Sequence, residues 1–205
     1  MSRVIGIDFD NTLICYDSVF HSLAVRGHLI SPATPSQKTA IRDIVRNSPE
    51  GDLSWQQLQA LAYGPAIAGA TLFHGVLAFF QECKKNDLPV FIVSHKTQVA
   101  WHEQQPVQLW ECAWHWMREH DFFNSNGLGL SPDHIFFEST RADKIQRIRV
   151  LGCTHFIDDL YEVFAEPDFP VHVTKLLFAP NGAGAGDANS FVFESWLEIK
   201  KWFFG

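Results

Sequence analysis

The chain has 205 residues, 46% of them hydrophobic and 19% charged, and a formal net charge of −7 at pH 7. This length corresponds to one domain, or to one core with a small elaboration. The apolar content, which includes 18 Phe and 7 Trp, excludes intrinsic disorder. The negative charge argues against duplex nucleic acid as a partner, because no long-range attraction to a phosphate backbone exists.

The four cysteines are scattered and form no CxxC pair, so neither a disulfide framework nor a Cys-rich zinc site is predicted. Cys112 and His115 have no second ligand pair at a recognisable zinc spacing. Asp8 and Asp10 interrupt the apolar run at the N-terminus, which argues against a signal peptide. The longest apolar runs, such as 76–80, are far shorter than the about 20 residues of a membrane span. We therefore expect a soluble, cytoplasmic protein that does not bind membranes.

Short apolar runs that alternate with helical patterns organise most of the chain. Five runs predict buried parallel strands, at residues 4–7, 88–93, 134–137, 155–157 and 171–178. A helix from about Ala142 is expected to end at Gly152. Two further helices are predicted by the helical spacing of Val76, Phe79, Phe80 and Cys83, and of Val192, Trp196, Ile199 and Phe203. This alternation predicts an α/β fold with a doubly wound, mostly parallel, Rossmann-like sheet and helices on both faces.

Residues 17–71 depart from this alternation because they carry only helical patterns. One helix is expected to begin near Ser36, and Ser54 is expected to cap another over 55–63. The segment is long enough for a small helical cap inserted after the first strand. The predicted domains are a core of residues 1–16 and 72–205 and a cap of residues 17–71.

The segment 96–130 is rich in tryptophan and contains Trp101, Trp110, Trp114 and Trp116. The near-heptad spacing of Trp110, Trp114 and Met117 favours packing within the protein. The alternatives are a platform that stacks on a base or sugar, and a homodimer face. The Gly/Ala-rich segment 181–186 lacks the Lys-Ser/Thr of a P-loop, which argues against a nucleotide cradle there.

The first predicted strand is followed directly by Asp8-Phe9-Asp10-Asn11-Thr12. Carboxylates at the end of such a strand point into the crevice where open parallel sheets bind ligands. One carboxylate is suited to attack phosphorus, and the other to transfer protons to and from oxygen. Clustered carboxylates require a cation, and their oxygen donors suit Mg²⁺. The alternative interpretation is a pair of solvated acids in a loop.

Two further polar residues lie at the end of a predicted strand or near the start of a predicted helix. Ser94 ends the strand 88–93, where its hydroxyl and neighbouring backbone N–H groups, such as that of His95, are placed to hold phosphate oxygens. An ordinary helix N-cap is the alternative. Lys144 offers a cation that neutralises an attacking carboxylate and a phosphoryl group, and the alternative is a surface lysine on an amphipathic helix.

Asp158 and Asp159 end the apolar strand 155–157. Adjacent acids at the end of a buried strand repel each other and lose solvation, so they favour a metal site over surface decoration. All four polar groups are expected at one edge of one sheet.

In this order and placement the four groups resemble the motifs of the haloacid dehalogenase-like (HAD) hydrolase superfamily. Those motifs are DxDxT, an apolar strand ending in Ser or Thr, a lysine, and an acidic pair after a strand. They stand here as Asp8 to Thr12, Ser94, Lys144 and Asp158-Asp159. The resemblance covers the core elements over nearly the whole chain, and it says almost nothing about the substrate.

The resemblance implies a role for each residue. Asp8 would be the nucleophile, and Asp10 the general acid and base. Thr12 would stabilise the loop that contains these two acids, and Glu162 would add an indirect contact to the metal site. The implied phosphate-binding residues are Thr12, Ser94, His95 and Lys144. The implied Mg²⁺ site consists of Asp8, the backbone carbonyl of Asp10, Asp159 as the favoured direct ligand, and Asp158, acting through water or another ligand.

Asp10 also bears on the branch of the superfamily, because cleavage of a carbon–halogen bond has no leaving oxygen to protonate. The sequence therefore predicts a Mg²⁺-dependent phosphatase that hydrolyses a small phosphorylated metabolite through an aspartyl-phosphate on Asp8. The alternatives are a phosphomutase or phosphotransferase of the same fold, and a non-catalytic module that binds a phosphorylated ligand or partner. Nothing in residues 17–71 identifies the substrate.

Overall fold

The structure is a computed structural model and describes residues 3–182 and 189–205. Within the Gly/Ala-rich segment 181–186, residues 183–186 lie outside the described residues. In the described ranges the strands are, in chain order, β1 (Ile5–Ile7), β2 (Ile14–Cys15), β3 (Thr71–Leu72), β4 (Val90–His95), β5 (Val99–His102), β6 (Gln105–Gln108), β7 (Ile135–Glu138), β8 (His155–Asp158), β9 (Thr174–Phe178) and β10 (Ser190–Phe193).

The helices of the same ranges are α1 (Asp17–Arg26), α2 (Lys38–Arg46), α3 (Gly51–Tyr63), α4 (Val76–Lys85), α5 (Leu109–Glu119), α6 (Arg141–Val150), α7 (Tyr161–Phe164) and α8 (Trp196–Phe204). Two 3₁₀ helices span Pro65–Gly69 and Pro132–His134. None of the helices in the described residues is long and apolar enough to cross a membrane.

Six strands form one parallel sheet in the order β10-β9-β8-β1-β4-β7. The chain builds outward from β1 to β4 and β7, and then returns to the other side of β1 with β8, β9 and β10. This change of direction beside β1 is the topological switch point at which parallel sheets bind ligands. The predicted α/β, Rossmann-like fold class is confirmed.

The predicted helices that pack beside this sheet are present, with one correction. Val76, Phe79, Phe80 and Cys83 are the buried residues of α4, as their spacing predicts. Val192, however, lies in β10 and is 42% exposed. The aromatic and β-branched run Ser190–Phe193 pairs with β9 as a strand, and α8 begins only after Ser195, whose side chain accepts a hydrogen bond from the Glu198 N–H.

The predicted strand at 171–178 is shorter in the structure. A turn closed by the Val173 N–H and the Pro170 carbonyl precedes it, and Val171 is almost fully exposed. Strand β9 therefore begins at Thr174.

The chain divides into two compact units. The first contains the residues up to Ile14, Leu72–Lys96 and the residues from His120 onward, and the second contains Cys15–Thr71 and Thr97–Glu119. The second unit thus contains α1 to α3, the 3₁₀ helix Pro65–Gly69, the antiparallel hairpin β5–β6 and α5. That residues 17–71 form a cap remains a prediction. The second unit contains, besides this segment, residues 97–119, which the sequence analysis assigned to the core.

Two features of the second unit differ from the sequence analysis. Ser54 lies inside α3, which begins at Gly51, whereas α2 begins close to Ser36, as expected. Helix α5 buries Met117, as predicted, but Trp110 and Trp114 are only half-buried. The fully packed face of α5, at positions i, i+4, i+7 and i+8, consists of Leu109, Ala113, Trp116 and Met117.

Candidate active site

The register of two neighbouring strands, β1 and β8, brings two carboxylates together. Ile7 at the end of β1 pairs with Ile157 of β8, so the next residues, Asp8 and Asp158, lie side by side. The Asp8 N–H donates to the Ile157 carbonyl over 2.9 Å, which continues the pairing past the end of β1. Asp8 is 5% exposed and Asp158 is fully buried. The acids therefore share a site with little access to water.

Lys144 supplies the opposite charge to both acids. Its Nζ lies 2.6 Å from Asp8 Oδ1 and 2.7 Å from Asp158 Oδ2. Burial lowers the pKa of Lys144, but Asp158 and Asp8 outweigh this effect and raise the pKa above its usual value. Burial raises the pKa of Asp158 to about 6, against the opposing effect of Lys144. The site is thus organised around a buried ammonium group.

The start of α6 fixes the position of Lys144. Thr140 is the N-cap: its Oγ1 accepts a hydrogen bond from the Asp143 N–H and donates one to the Asp143 carboxylate. Such a cap satisfies backbone N–H groups in the first helical turn and defines where the helix begins. Lys144 therefore lies in the first turn of a helix whose start is fixed by the Thr140 side chain.

A third acid completes the cluster. Carboxylate oxygens of Asp8, Asp158 and Asp159 all lie within 4.8 Å of one another. The Oγ1 of Thr12 accepts a hydrogen bond from the Asp159 N–H at 3.1 Å and donates one to Asp159 Oδ1 at 3.3 Å. When ionised, three carboxylates beside one ammonium carry two net negative charges. An all-oxygen donor set with this charge fits Mg²⁺.

The loop after β1 is held by hydrogen bonds from within and from outside. Asn11 adopts a left-handed φ of 61°, which asparagine tolerates better than most residues. The N–H groups of Leu13 and Ile14 both donate to the Phe9 carbonyl. The Nε1 of Trp196, a fully buried residue of α8, donates to the Thr12 carbonyl over 2.8 Å. Thr12 is therefore fixed through both its main chain and its side chain.

Asp10, the second acid of the loop, is paired with a residue to which the sequence analysis gave no role. The Nζ of Lys96 lies 2.6 Å from Asp10 Oδ2, and the two side chains are 2% and 15% exposed. Lys96 follows Ser94 by two residues at the end of β4, so strand alternation puts them on one face. That alternation is the signal from which Lys96 could have been found.

The hydroxyl of Ser94 is buried and has no hydrogen-bond partner among the residues that the structure describes. Buried polar atoms without a partner are rare and call for an explanation. A hydroxyl group at the end of β4, beside the switch point, is a donor that an oxygen-rich ligand would satisfy. Ser94 is thus well suited to its predicted role.

Two predicted site residues lie farther from these contacts. His95 is exposed, and its Nε2 is 3.2 Å from the Ser139 carbonyl oxygen. Partial loss of solvent around its ring lowers the pKa of His95, which favours the neutral imidazole. Glu162 is exposed on α7. The structure links Asp8 and Asp158 through Lys144 and bonds Thr12 to Asp159. Oxygens of the three acids lie within 4.8 Å of one another, and Asp10 is paired with Lys96.

Comparison with known proteins gives the fold. No family model and no curated protein matches the chain. A haloacid dehalogenase-like hydrolase from Streptococcus pneumoniae is 16% identical, with a TM-score of 0.60 and 98% of each chain covered. A HAD family hydrolase from Deinococcus radiodurans, solved with bound phosphate and sodium, is 13% identical, with a TM-score of 0.56 over 97% of this chain and 93% of that one.

An L-2-haloacid dehalogenase is also similar, at 11% identity and a TM-score of 0.57 over 100% of this chain and 99% of that chain. Together these structures establish that the chain has the fold of the HAD-superfamily hydrolases. Since proteins of one fold carry out different reactions, the chemistry has to be argued from the site.

The bond from Trp196 to Thr12 gives a stability prediction. Trp196→Phe keeps an aromatic ring but leaves the Thr12 carbonyl buried without this donor, so we expect a loss of about 1–3 kcal/mol in the free energy of unfolding. Urea unfolding measures it. Trp202→Phe, the same change at a partly exposed position of α8, is the control. Equal losses in the two variants would contradict the role of this bond.

Proposed function

We propose that this protein is a Mg²⁺-dependent phosphatase that hydrolyses a small phosphomonoester through an aspartyl-phosphate on Asp8. The observation that carries the proposal is the buried Asp8 carboxylate, which Lys144 holds at 2.6 Å within a cluster of three acids. The Ser94 hydroxyl, which has no hydrogen-bond partner within the described residues, adds a donor for a phosphoryl oxygen.

In the first step, an oxygen of the Asp8 carboxylate attacks phosphorus. A bond forms between Asp8 and phosphorus while the ester oxygen–phosphorus bond breaks, and Asp10 gives its proton to the leaving oxygen. In the second step, Asp10 takes a proton from water as the water oxygen attacks phosphorus. The bond to Asp8 then breaks and phosphate leaves, which restores the Asp8 carboxylate and the protonated Asp10.

Charge neutralisation accompanies both steps. The ammonium of Lys144 offsets the negative charge of Asp8 and of the phosphoryl oxygens, and the Ser94 hydroxyl donates to one of those oxygens. Asp8, Asp158 and Asp159 would hold Mg²⁺, which when bound neutralises charge on the carboxylates and the phosphoryl group. The preference for Asp159 over Asp158 as the direct ligand is part of this proposal.

Dehalogenation is the reaction named for one of the similar structures. It needs a nucleophilic carboxylate, but a departing halide takes no proton, so the step that expels the leaving group gives Asp10 no proton to deliver. In this chain Asp10 is held by a buried ion pair. Phosphate ester cleavage, whose leaving oxygen requires a proton, uses both acids of the loop and is therefore favoured.

Asp8→Asn tests the covalent step. The amide lacks a nucleophilic oxygen, so we expect release of inorganic phosphate from a panel of phosphorylated metabolites to fall to background. Asp133→Asn, the same change at an exposed acid, should retain activity. Appreciable phosphate release by Asp8→Asn would place the nucleophile elsewhere. Turnover of chloroacetate but of no phosphate ester would favour a dehalogenase, and phosphoryl transfer to an added sugar phosphate would favour the phosphomutase alternative.

Asp10→Asn tests the proton transfer. General acid catalysis is worth about 10² to 10⁴ in rate, and poor leaving groups need it most. We expect a loss of that order on an alkyl phosphate and a much smaller loss on p-nitrophenyl phosphate, in the step that forms the aspartyl-phosphate. Burst kinetics separate this step from hydrolysis of the intermediate. Equal losses on both substrates would argue against Asp10 as the acid.

The acid cluster predicts stabilisation by Mg²⁺, because a ligand that binds only the folded state shifts the unfolding equilibrium. At 100 times its Kd the ion contributes about 2.7 kcal/mol, which raises the Tm of a chain of this length by about 5 to 10 °C. Melting curves with and without Mg²⁺ measure the shift. It should shrink in Asp159→Ala and persist in Asp168→Ala, a change at an exposed acid. No shift in the unmodified protein would refute the metal site.

A further inference from the structure

The candidate site contains two buried lysines, and they contact different acids. Lys144 contacts Asp8 and Asp158, whereas Lys96 contacts Asp10. Both lysine side chains are 2% exposed. The proposed reaction requires one cation beside the nucleophile and the phosphoryl group, and Lys144 supplies it. The second cation therefore needs an explanation of its own.

The main chain holds Lys96 in place. Its N–H donates to the Glu138 carbonyl over 2.9 Å, which continues the pairing of β4 with β7 beyond the end of β4. Strand β4 also neighbours β1 in the sheet, so a side chain at the end of β4 reaches the loop that follows β1. The Lys96 Nζ lies 5.9 Å from the centre of the Phe9 ring. The lysine thus approaches Asp10 from a rigid support.

The contact restricts how Asp10 is oriented. An ion pair at 2.6 Å to Oδ2 fixes one carboxylate oxygen and therefore the rotation of the whole group. A general acid must lie within about 2.6–3.2 Å of the oxygen that it protonates. A misplacement of about 1 Å can cost about 10²-fold in rate. Asp10 lies in a loop rather than in a strand, so the orientation of its carboxylate depends on side-chain contacts such as this one.

We propose that Lys96 is a positioning residue, which holds the Asp10 carboxylate in the orientation that serves the leaving oxygen. This inference rests on the proposed phosphatase function and adds to it a second lysine with a separate task. Lys144 neutralises charge on the nucleophile and the phosphoryl group, and Lys96 orients the general acid. Lys96 acts through Asp10 and not through the substrate.

A double-mutant cycle tests this. Lys96→Met keeps the apolar stem and removes the ammonium, so we expect kcat on an alkyl phosphate to fall by up to about 10²-fold, with little change in KM. Kcat on p-nitrophenyl phosphate should change far less. In an Asp10→Asn background, Lys96→Met should alter the rate by no more than about twofold beyond Asp10→Asn alone, because the group through which Lys96 acts is already gone.

Lys96→Arg and Lys175→Met complete the experiment. Arginine restores the charge, so it should recover part of the rate on the alkyl phosphate. Lys175 bonds the Phe164 carbonyl through its Nζ, and Lys175→Met controls for loss of a lysine elsewhere in the same unit. Circular dichroism and melting curves report folding. Should Lys96→Met not fold, Lys96→Arg decides: its rate must fall more on the alkyl phosphate than on p-nitrophenyl phosphate.

Three results would overturn the proposal: independent losses from Lys96→Met and Asp10→Asn, a change confined to KM, or equal losses on the two substrates. Each of these leaves the phosphatase proposal intact, provided that Asp10→Asn alone shows its selective loss on the alkyl phosphate. If Asp10→Asn shows no such selectivity, the role of Asp10 itself fails. The two failures are therefore distinguishable.

Discussion

The contact of Lys144 with Asp8 and Asp158 is the constraint on which the candidate site depends. Two carboxylates buried side by side at the ends of neighbouring strands repel each other, and each loses solvation. Removing one member of a buried ion pair typically destabilises a protein by about 3–5 kcal/mol, because an uncompensated charge is left behind. The ammonium therefore makes this arrangement of strand ends possible.

The rest of the architecture brings that ammonium and those acids to one place. Strands β1 and β8 pair in register up to Ile7 and Ile157, so each contributes its next residue, an aspartate, at the same level. Strand β4, on the other side of β1, carries Ser94 just before its last residue, His95, and is followed by Lys96. Helix α6, which follows β7, carries Lys144. A parallel sheet in which the order of strand addition reverses beside β1 thus gathers acids, a hydroxyl and two cations at one edge.

The strands and the motif residues could be predicted because their signals are local. A short apolar run that ends in an acid predicts both a buried strand and its functional end. The hairpin β5–β6, strand β10 and the bond from Trp196 to Thr12 could not be predicted in this way. The last two depend on partners outside their own segments, as Ser190–Phe193 does on β9. The hairpin pairs locally, but its Glu103-Gln104 turn, with positive φ at both residues, lacks the Asn or Gly that usually marks such a turn. Lys96 shares a face with Ser94 by strand alternation, but that alternation does not identify Asp10 as its partner.

Phosphatases and dehalogenases need the same nucleophile at the end of β1, so the fold and Asp8 do not separate them. What separates them is the group that leaves. A halide departs as a stable anion, whereas an alkoxide must be protonated as its bond to phosphorus breaks. The decisive part of this site is therefore Asp10 and what orients it. Lys96, which follows the strand next to β1, lies 2.6 Å from that acid, and a reaction that must protonate its leaving group gains from an acid held in one orientation.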